Sequence, residues 1–141
     1  MTIVKIALRL LFIPVLFCAA TVIADTAVII HPSNASALDK DTVKKIFLGK
    51  TKSFPSGGTA VPINQKDGDA TRAGFDQNVL GKSSSQIKAY WSKLVFTGKG
   101  TPPKEVENDA EIKALVANNP NIIGYIDATQ VDDSVKVVFS F

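Results

Sequence analysis

The stretch AVPINQKDGDATRAGF, Ala60–Phe75, holds the decision about the fold. Ala60 to Asn64 is short, mostly apolar and β-branched at Val61 and Ile63, which reads as a strand. Pro62 removes a backbone donor from it, so the strand is expected at a sheet edge or at a bulge. Gln65 to Ala70 is a polar turn carrying Gly68, and a helix follows from about Thr71 to Leu80, stopped by Gly81. A strand running through a glycine turn into a helix is the repeating unit of layered α/β domains.

The same alternation extends outward in both directions. Upstream, Thr26–Ile30 (TAVII) is a β-branched run closed by His31-Pro32. Asp39 can cap a helix with Val43, Ile46 and Phe47 on its apolar face, and Gly49 follows as its stop. Downstream, Ser83 and Gln86 fit a capping box for a helix with Ile87, Tyr90, Trp91, Leu94 and Val95 along one face. Residues 98–103 (GKGTPP) are a tight loop. Asn108 and Glu111 fit another capping box, opening a further helix with Ile112, Leu115 and Val116 inward, ended by Asn118-Asn119-Pro120. Ile122–Ile126 (IIGYI) and Val135–Phe141 (VKVVFSF) are strands. The expected order is therefore strand, helix, strand, three helices, strand, strand. That predicts an α/β domain with a layered sheet and flanking helices, not a β-sandwich.

The first residues follow a different grammar. Lys5 and Arg9 precede an uncharged, mostly apolar run from Leu10 to Ile23, and Val22 and Ala24 stand where a signal peptidase tolerates them, ahead of Asp25. Residues 1–24 are read as a secretory signal peptide and 25–141 as one domain, periplasmic or secreted. The run is shorter than the roughly 20 residues of a bilayer span and contains Pro14. No membrane span is expected after cleavage. Cys18 follows Phe17, not the small residue that a lipoprotein signal wants.

Cleavage changes what composition implies. The precursor has a formal net charge of +3, but Lys5 and Arg9 leave with the leader, so residues 25–141 carry 14 basic and 13 acidic side chains. A net charge of +1 does not point to nucleic acid. The one cysteine also leaves, so no disulfide, thiolate metal site or cysteine nucleophile is expected. His31 is the sole histidine and has no partner serine marked by spacing. Asp67/Asp69 and Asp132-Asp133 are explained by turn chemistry, and too few oxygen ligands surround Gly68 for calcium. Residues 98–101 lack the order of a phosphate loop, and prolines stand where its helix would begin. Tyr90 and Trp91 are assigned to core packing. No catalytic residue, metal or cofactor is expected.

One constellation remains, at the β–turn–α junction. A helix start offers unpaired N–H groups and a partial positive charge, which suits an anion. Thr71 can add a hydroxyl, with Lys66 and Arg72 nearby. The residues alone favour the plainer reading, in which Asp69 caps the helix, satisfies those donors itself and repels an anion.

Four stretches occur in order: Ile46-Phe47-Leu48-Gly49-Lys50, Val61-Pro62-Ile63, Asp67-Gly68, and Asn119-Pro120-Asn121-Ile122-Ile123-Gly124-Tyr125. In these the chain resembles the phosphate ABC transporter substrate-binding family, within the type 2 periplasmic binding proteins, over about Ala27 to Ile126. The resemblance implies one lobe of a two-lobed binder whose phosphate lies between lobes, with the first and last strands at the hinge. It also implies a ligand site at Gln65, Gly68, Asp69, Ala70, Thr71 and Arg72. The family's loop runs R-x-D-G-S-G-T. Gln65-Lys66-Asp67-Gly68-Asp69-Ala70-Thr71 keeps Asp67, Gly68 and Thr71. It puts Gln65 for the arginine, Asp69 for the serine and Ala70 for the second glycine, losing a forked cation and gaining a carboxylate. Two functions are carried from this reading. One is a solute-binding module for phosphate or another small polar ligand, its cleft completed by a homodimer or a protein partner. The other is an accessory interaction protein that keeps the fold without the ligand.

Overall fold

A computed structural model describes residues 25–141; the leader reading falls on residues 1–24, outside that range. Five strands form one mixed sheet in the order β3-β2-β4-β1-β5. They are β1 (Thr26–Ile30), β2 (Val61–Gln65), β3 (Lys104–Val106), β4 (Ile122–Asp127) and β5 (Lys136–Ser140). β2 pairs in parallel with β3 and β4, whereas β1 runs antiparallel to both β4 and β5. The helices are α1 (Lys40–Phe47), α2 (Ala70–Phe75), α3 (Ser84–Phe96) and α4 (Asp109–Asn118). The α/β class, with helices flanking a layered sheet, is as the alternation of strands and helices implied.

Strand alternation sorts β1 onto two cores. Val28 and Ile30 face a larger cluster with α1, α2 and α3, while Ala27 and Ile29 face a smaller one with α4. A strand buried on both faces reads as a continuous apolar run, which is why TAVII carries no polar residue after its threonine. In the larger core Phe75 stacks on Tyr125 with centroids 3.9 Å apart and planes at 4°, and Phe47 tilts against both. On the other side α4 lies so close to β4 that a Cβ on Gly124 would come within 2.5 Å of the Ile112 side chain. Glycine is required there by space.

Caps fall where the sequence placed them. Asp39 accepts from the Thr42 amide, Ser83 and Gln86 close a full capping box, and Asn108 accepts from the Glu111 amide; the box expected at Asn108 is only half formed, because the Glu111 carboxylate accepts from the Glu107 amide instead. Four expectations are corrected. First, β2 is an interior strand, not an edge. The Val61 amide donates toward β4, to the Asn121 carbonyl, so the missing donor of Pro62 points the other way. The β2–β3 ladder begins only at Ile63, so no bond is lost. Second, the helix after the glycine turn is not uniform: α2 passes into a π-helical turn, Asp76–Leu80, before Gly81. Third, Lys104–Val106 forms a strand where only a loop and a helix cap had been expected. Fourth, Val95 is not on the buried face of α3; it is 54% exposed.

Candidate functional site

Antiparallel pairing brings several strand ends to one edge. Thr26 of β1 pairs with Asp127 at the end of β4, and Thr26 and Phe141 exchange backbone hydrogen bonds beyond β5. Because β2 is parallel to β4, its last residue, Gln65, points to the same edge. The junction from β2 to α2 therefore stands beside the first and last strands. A depression of about 300 Å³ lies along this edge, lined by Thr26, Ala70, Thr71, Gly74, Asn78, Asp127 and Phe141.

The turn itself is locally determined. Gly68 takes φ +84, a left-handed conformation that lets the chain reverse into the helix. Asp69 then adopts extended backbone, and its Oδ1 accepts from the Thr71 amide at 2.8 Å and the Arg72 amide at 3.2 Å. Two of the donors that an incoming anion would use are thus already occupied by a carboxylate at the positive end of the helix. Lys66 and Asp67 point outward into ion pairs with Glu107 and Lys88. The Lys88 contact holds the Asp67 carboxyl below its ordinary range.

Gln65 and Arg72 turn inward. Gln65 is 0% exposed; its side-chain amide donates to the Asp109 carboxylate and to the Tyr125 carbonyl, and its own amide donates to the Tyr125 hydroxyl at 3.3 Å. That hydroxyl donates in turn to Asn64 at 2.8 Å, and burial pushes its pKa up. Asp109 also accepts from the Asp127 amide, so the first residue of α4 ties β2 to the end of β4. The Arg72 guanidinium donates to the Gln65 carbonyl at 3.1 Å and pairs with Glu105 on β3. Its Nε lies 4.0 Å from Asp76, which is 1% exposed and accepts from Ser84. Burial raises the Asp76 pKa, against the pull of the Ser84 hydroxyl and the Arg72 charge. Gln65 Oε1, Arg72 Nε and Asp76 Oδ1 are buried without partners.

The six residues singled out from the sequence do share one junction, but they split by direction. Gly68, Asp69, Ala70 and Thr71 stay at the edge. Gln65 and Arg72 serve as connectors among β2, β3, β4 and α4. The polar partners Asn64, Asp76, Glu105, Asp109 and Tyr125 were not foreseen. Only Asp76 left a signal, four residues after Arg72 on one helical face. The others meet through strand register, which local spacing does not reveal. Elsewhere, His31 Nδ1 is 2.7 Å from Ser33 Oγ in an exposed turn. Asp132 binds Lys113 and caps Ser134, and these contacts hold its carboxyl well below the usual range. No group of three or more potential metal ligands is found among the described residues, and none of their helices is long and apolar enough to cross a membrane.

No protein-family model matches the sequence. Solved structures do. A phosphate ABC transporter substrate-binding protein of Clostridium perfringens, solved with bound phosphate, superposes with a TM-score of 0.64 at 29% identity. The match covers 82% of this chain and 45% of that one. An ABC-type phosphate transport receptor of Vibrio cholerae (TM-score 0.63, 19% identity, 82% and 46% covered) shares the fold, as does PstS of Borrelia burgdorferi (0.59, 15%, 82% and 47%). The chain thus has the fold of one lobe of such proteins, and it spans less than half the length of each.

Proposed function

We propose that residues 25–141 act outside the cytoplasm as a non-enzymatic, solute-binding-like lobe that does not capture free phosphate tightly and works through contacts with a partner surface. The observation that carries this reading is the Asp69 carboxylate, which accepts from both the Thr71 and the Arg72 amides. A divalent anion at that helix start would have to displace a bonded carboxylate or lie beside it, and like charges at close range repel more strongly as burial lowers the local dielectric. The cations nearest in sequence are engaged elsewhere: Arg72 is buried against Glu105, and Lys66 is paired with Glu107.

A second reading keeps ligand binding. It draws on the 29% identity to part of a protein solved with bound phosphate, and on the depression at Thr71. A small polar solute would then meet the backbone of Asp69 to Thr71 and the Thr71 hydroxyl, with a second copy or a partner closing the cleft.

Calorimetric titration separates the two. The exported protein is first weighed, and an intact mass beginning at Asp25 is expected. Phosphate should then give no measurable heat at micromolar concentrations, on the order of 10⁻⁶ M, where a binding free energy near 8 kcal/mol would show. Asp69→Ser keeps a cap and removes a charge, so it should bind phosphate better than the parent. Micromolar binding by the parent overturns the reading.

A further inference from the structure

We propose that the C-terminal tip of α3 and the lysines around it form a docking surface for an anionic phospholipid bilayer. Phe96 is 93% exposed and Val95 54% exposed, adjacent at the end of one helix. This tip is not a frayed end. Thr97 caps it by donating to the Lys93 carbonyl, Gly98 turns the chain at φ +67, and the Lys99 amide bonds back to the Leu94 carbonyl at 2.8 Å. Behind it Trp91 is buried, and the Tyr90 hydroxyl donates to the Leu48 carbonyl at 2.7 Å. The fold therefore holds a phenyl ring in water on a rigid support.

The charge around the tip is segregated, although the net charge of the domain is near zero. Residues 77–104 carry five lysines and no carboxylate, and residues 42–66 carry another five lysines and no carboxylate. The two stretches converge: Lys50, Lys52 and Lys99 line a depression of about 880 Å³ that also contains Val95 and Trp91. Lys88 borders a second depression beside Phe96. The nearby carboxylates of Asp67 and Glu105 are already paired, with Lys88 and Arg72. Among the described residues, Lys50, Lys52, Lys93 and Lys99 have no acidic partner.

A protruding apolar tip flanked on its Val95 side by lysines without an acidic partner supplies the two signals that reversible membrane attachment needs, apolar insertion and attraction to anionic headgroups. An acidic protein surface would answer the lysines equally. It would leave Phe96 unexplained, because almost none of that ring has a flank of its own fold beside it. Lysine stems are long enough to lie along the apolar surface and place their ammonium groups among phosphates. The inference rests on the α3 tip and not on the β2–α2 junction, so either can fail while the other stands.

The test uses the purified exported chain, mass-checked to start at Asp25, and large unilamellar vesicles. One set is phosphatidylcholine and the other contains about one-third phosphatidylglycerol. Trp91, the only tryptophan, reports binding by its fluorescence, and co-sedimentation measures it. Binding is expected to the anionic vesicles, to weaken with salt, and to be absent with phosphatidylcholine alone. Lys93→Gln with Lys99→Gln should lower the partition coefficient about 25-fold, at roughly fivefold per lysine near an anionic surface. Phe96→Ser should lower it severalfold while leaving the circular dichroism unchanged. No binding at millimolar anionic lipid overturns the proposal. So does binding that Phe96→Ser leaves intact, which would mark the lysines as a generic polyanion surface suited to an acidic protein.

Discussion

The β2–α2 junction and the α3 tip make opposite use of their chemistry. At the junction, most of the polar groups that suggested a binding site are engaged within the protein itself: Asp69 takes the Thr71 and Arg72 amides, Gln65 reaches Asp109, and Arg72 reaches Glu105. At the tip, Val95, which the helical periodicity had assigned to packing, is left outside beside Phe96, which is 93% exposed, and Lys93 and Lys99 have no acidic partner among the described residues. A polar constellation is thus no sign of an open site when most of its members bond one another, and an apolar residue on a helix is no sign of a core when nothing packs over it.

The sharpest way to break this contrast is Arg72→Ala. It leaves Asp76 buried without its cation and frees the Gln65 carbonyl, and loss of one partner of a buried pair costs about 3 kcal/mol. The loss should depend on pH. Removing Arg72 raises an Asp76 pKa that burial already holds above its ordinary value. An acid whose folded pKa exceeds its unfolded pKa costs stability at neutral pH, and that cost is relieved as pH falls through the folded value. Urea denaturation of variant and parent should therefore differ more at about pH 7 than at about pH 5. A difference under about 1 kcal/mol at neutral pH would mean that the network contributes little to holding the junction closed.

A smaller effect is expected from Asp69. Asp69→Ala removes the acceptor for two amides and should cost about 1 kcal/mol, whereas Asp69→Ser, still a cap, should lose only a few tenths. Equal stability of the alanine variant and the parent would show that the carboxylate leaves the helix start readily, and the junction would then count as open to an anion.

How far these regions could be read from the sequence follows from the range of the interactions. TAVII, the caps at Asp39, Ser83 and Asn108, and the glycine turn at Gly68 are settled within four residues, and local pattern located them. Pro62 misled because its neighbour on the missing-donor side begins one residue later, a fact of register. Lys104–Val106 went unseen because three residues, two of them charged, carry no strand signal; they are a strand because β2 is beside them. At the candidate site, Asp69 as a cap was legible. The burial of Gln65 was not, since Asp109 meets it from 44 residues away. Val95 followed the helical period, but α3 outlasts the surface it packs on, and periodicity does not say where a core ends.

The smallest expected effect tests that last point directly. Trp91 and Phe96 lie five residues apart on α3 and both are large aromatic side chains, yet the first is buried and the second is in water. Trp91 lies over Gly49 and Gly100, with its ring 3.0 Å and 3.3 Å from where their Cβ atoms would be. Trp91→Ala would empty that space and should cost about 3 kcal/mol or more, by lost transfer and by the cavity left behind. Phe96→Ser removes a ring that is already in water, so its denaturation midpoint should stay within about 0.5 kcal/mol of the parent. If Phe96→Ser instead destabilised the protein as much as a core deletion, the ring would have to be packed in solution, against its own fold or a second copy. The contrast between a junction bonded within the fold and a tip left in water would then disappear. If it is neutral in stability while lowering vesicle binding, the exposure of Phe96 has no structural role to explain it and the surface remains as its reason.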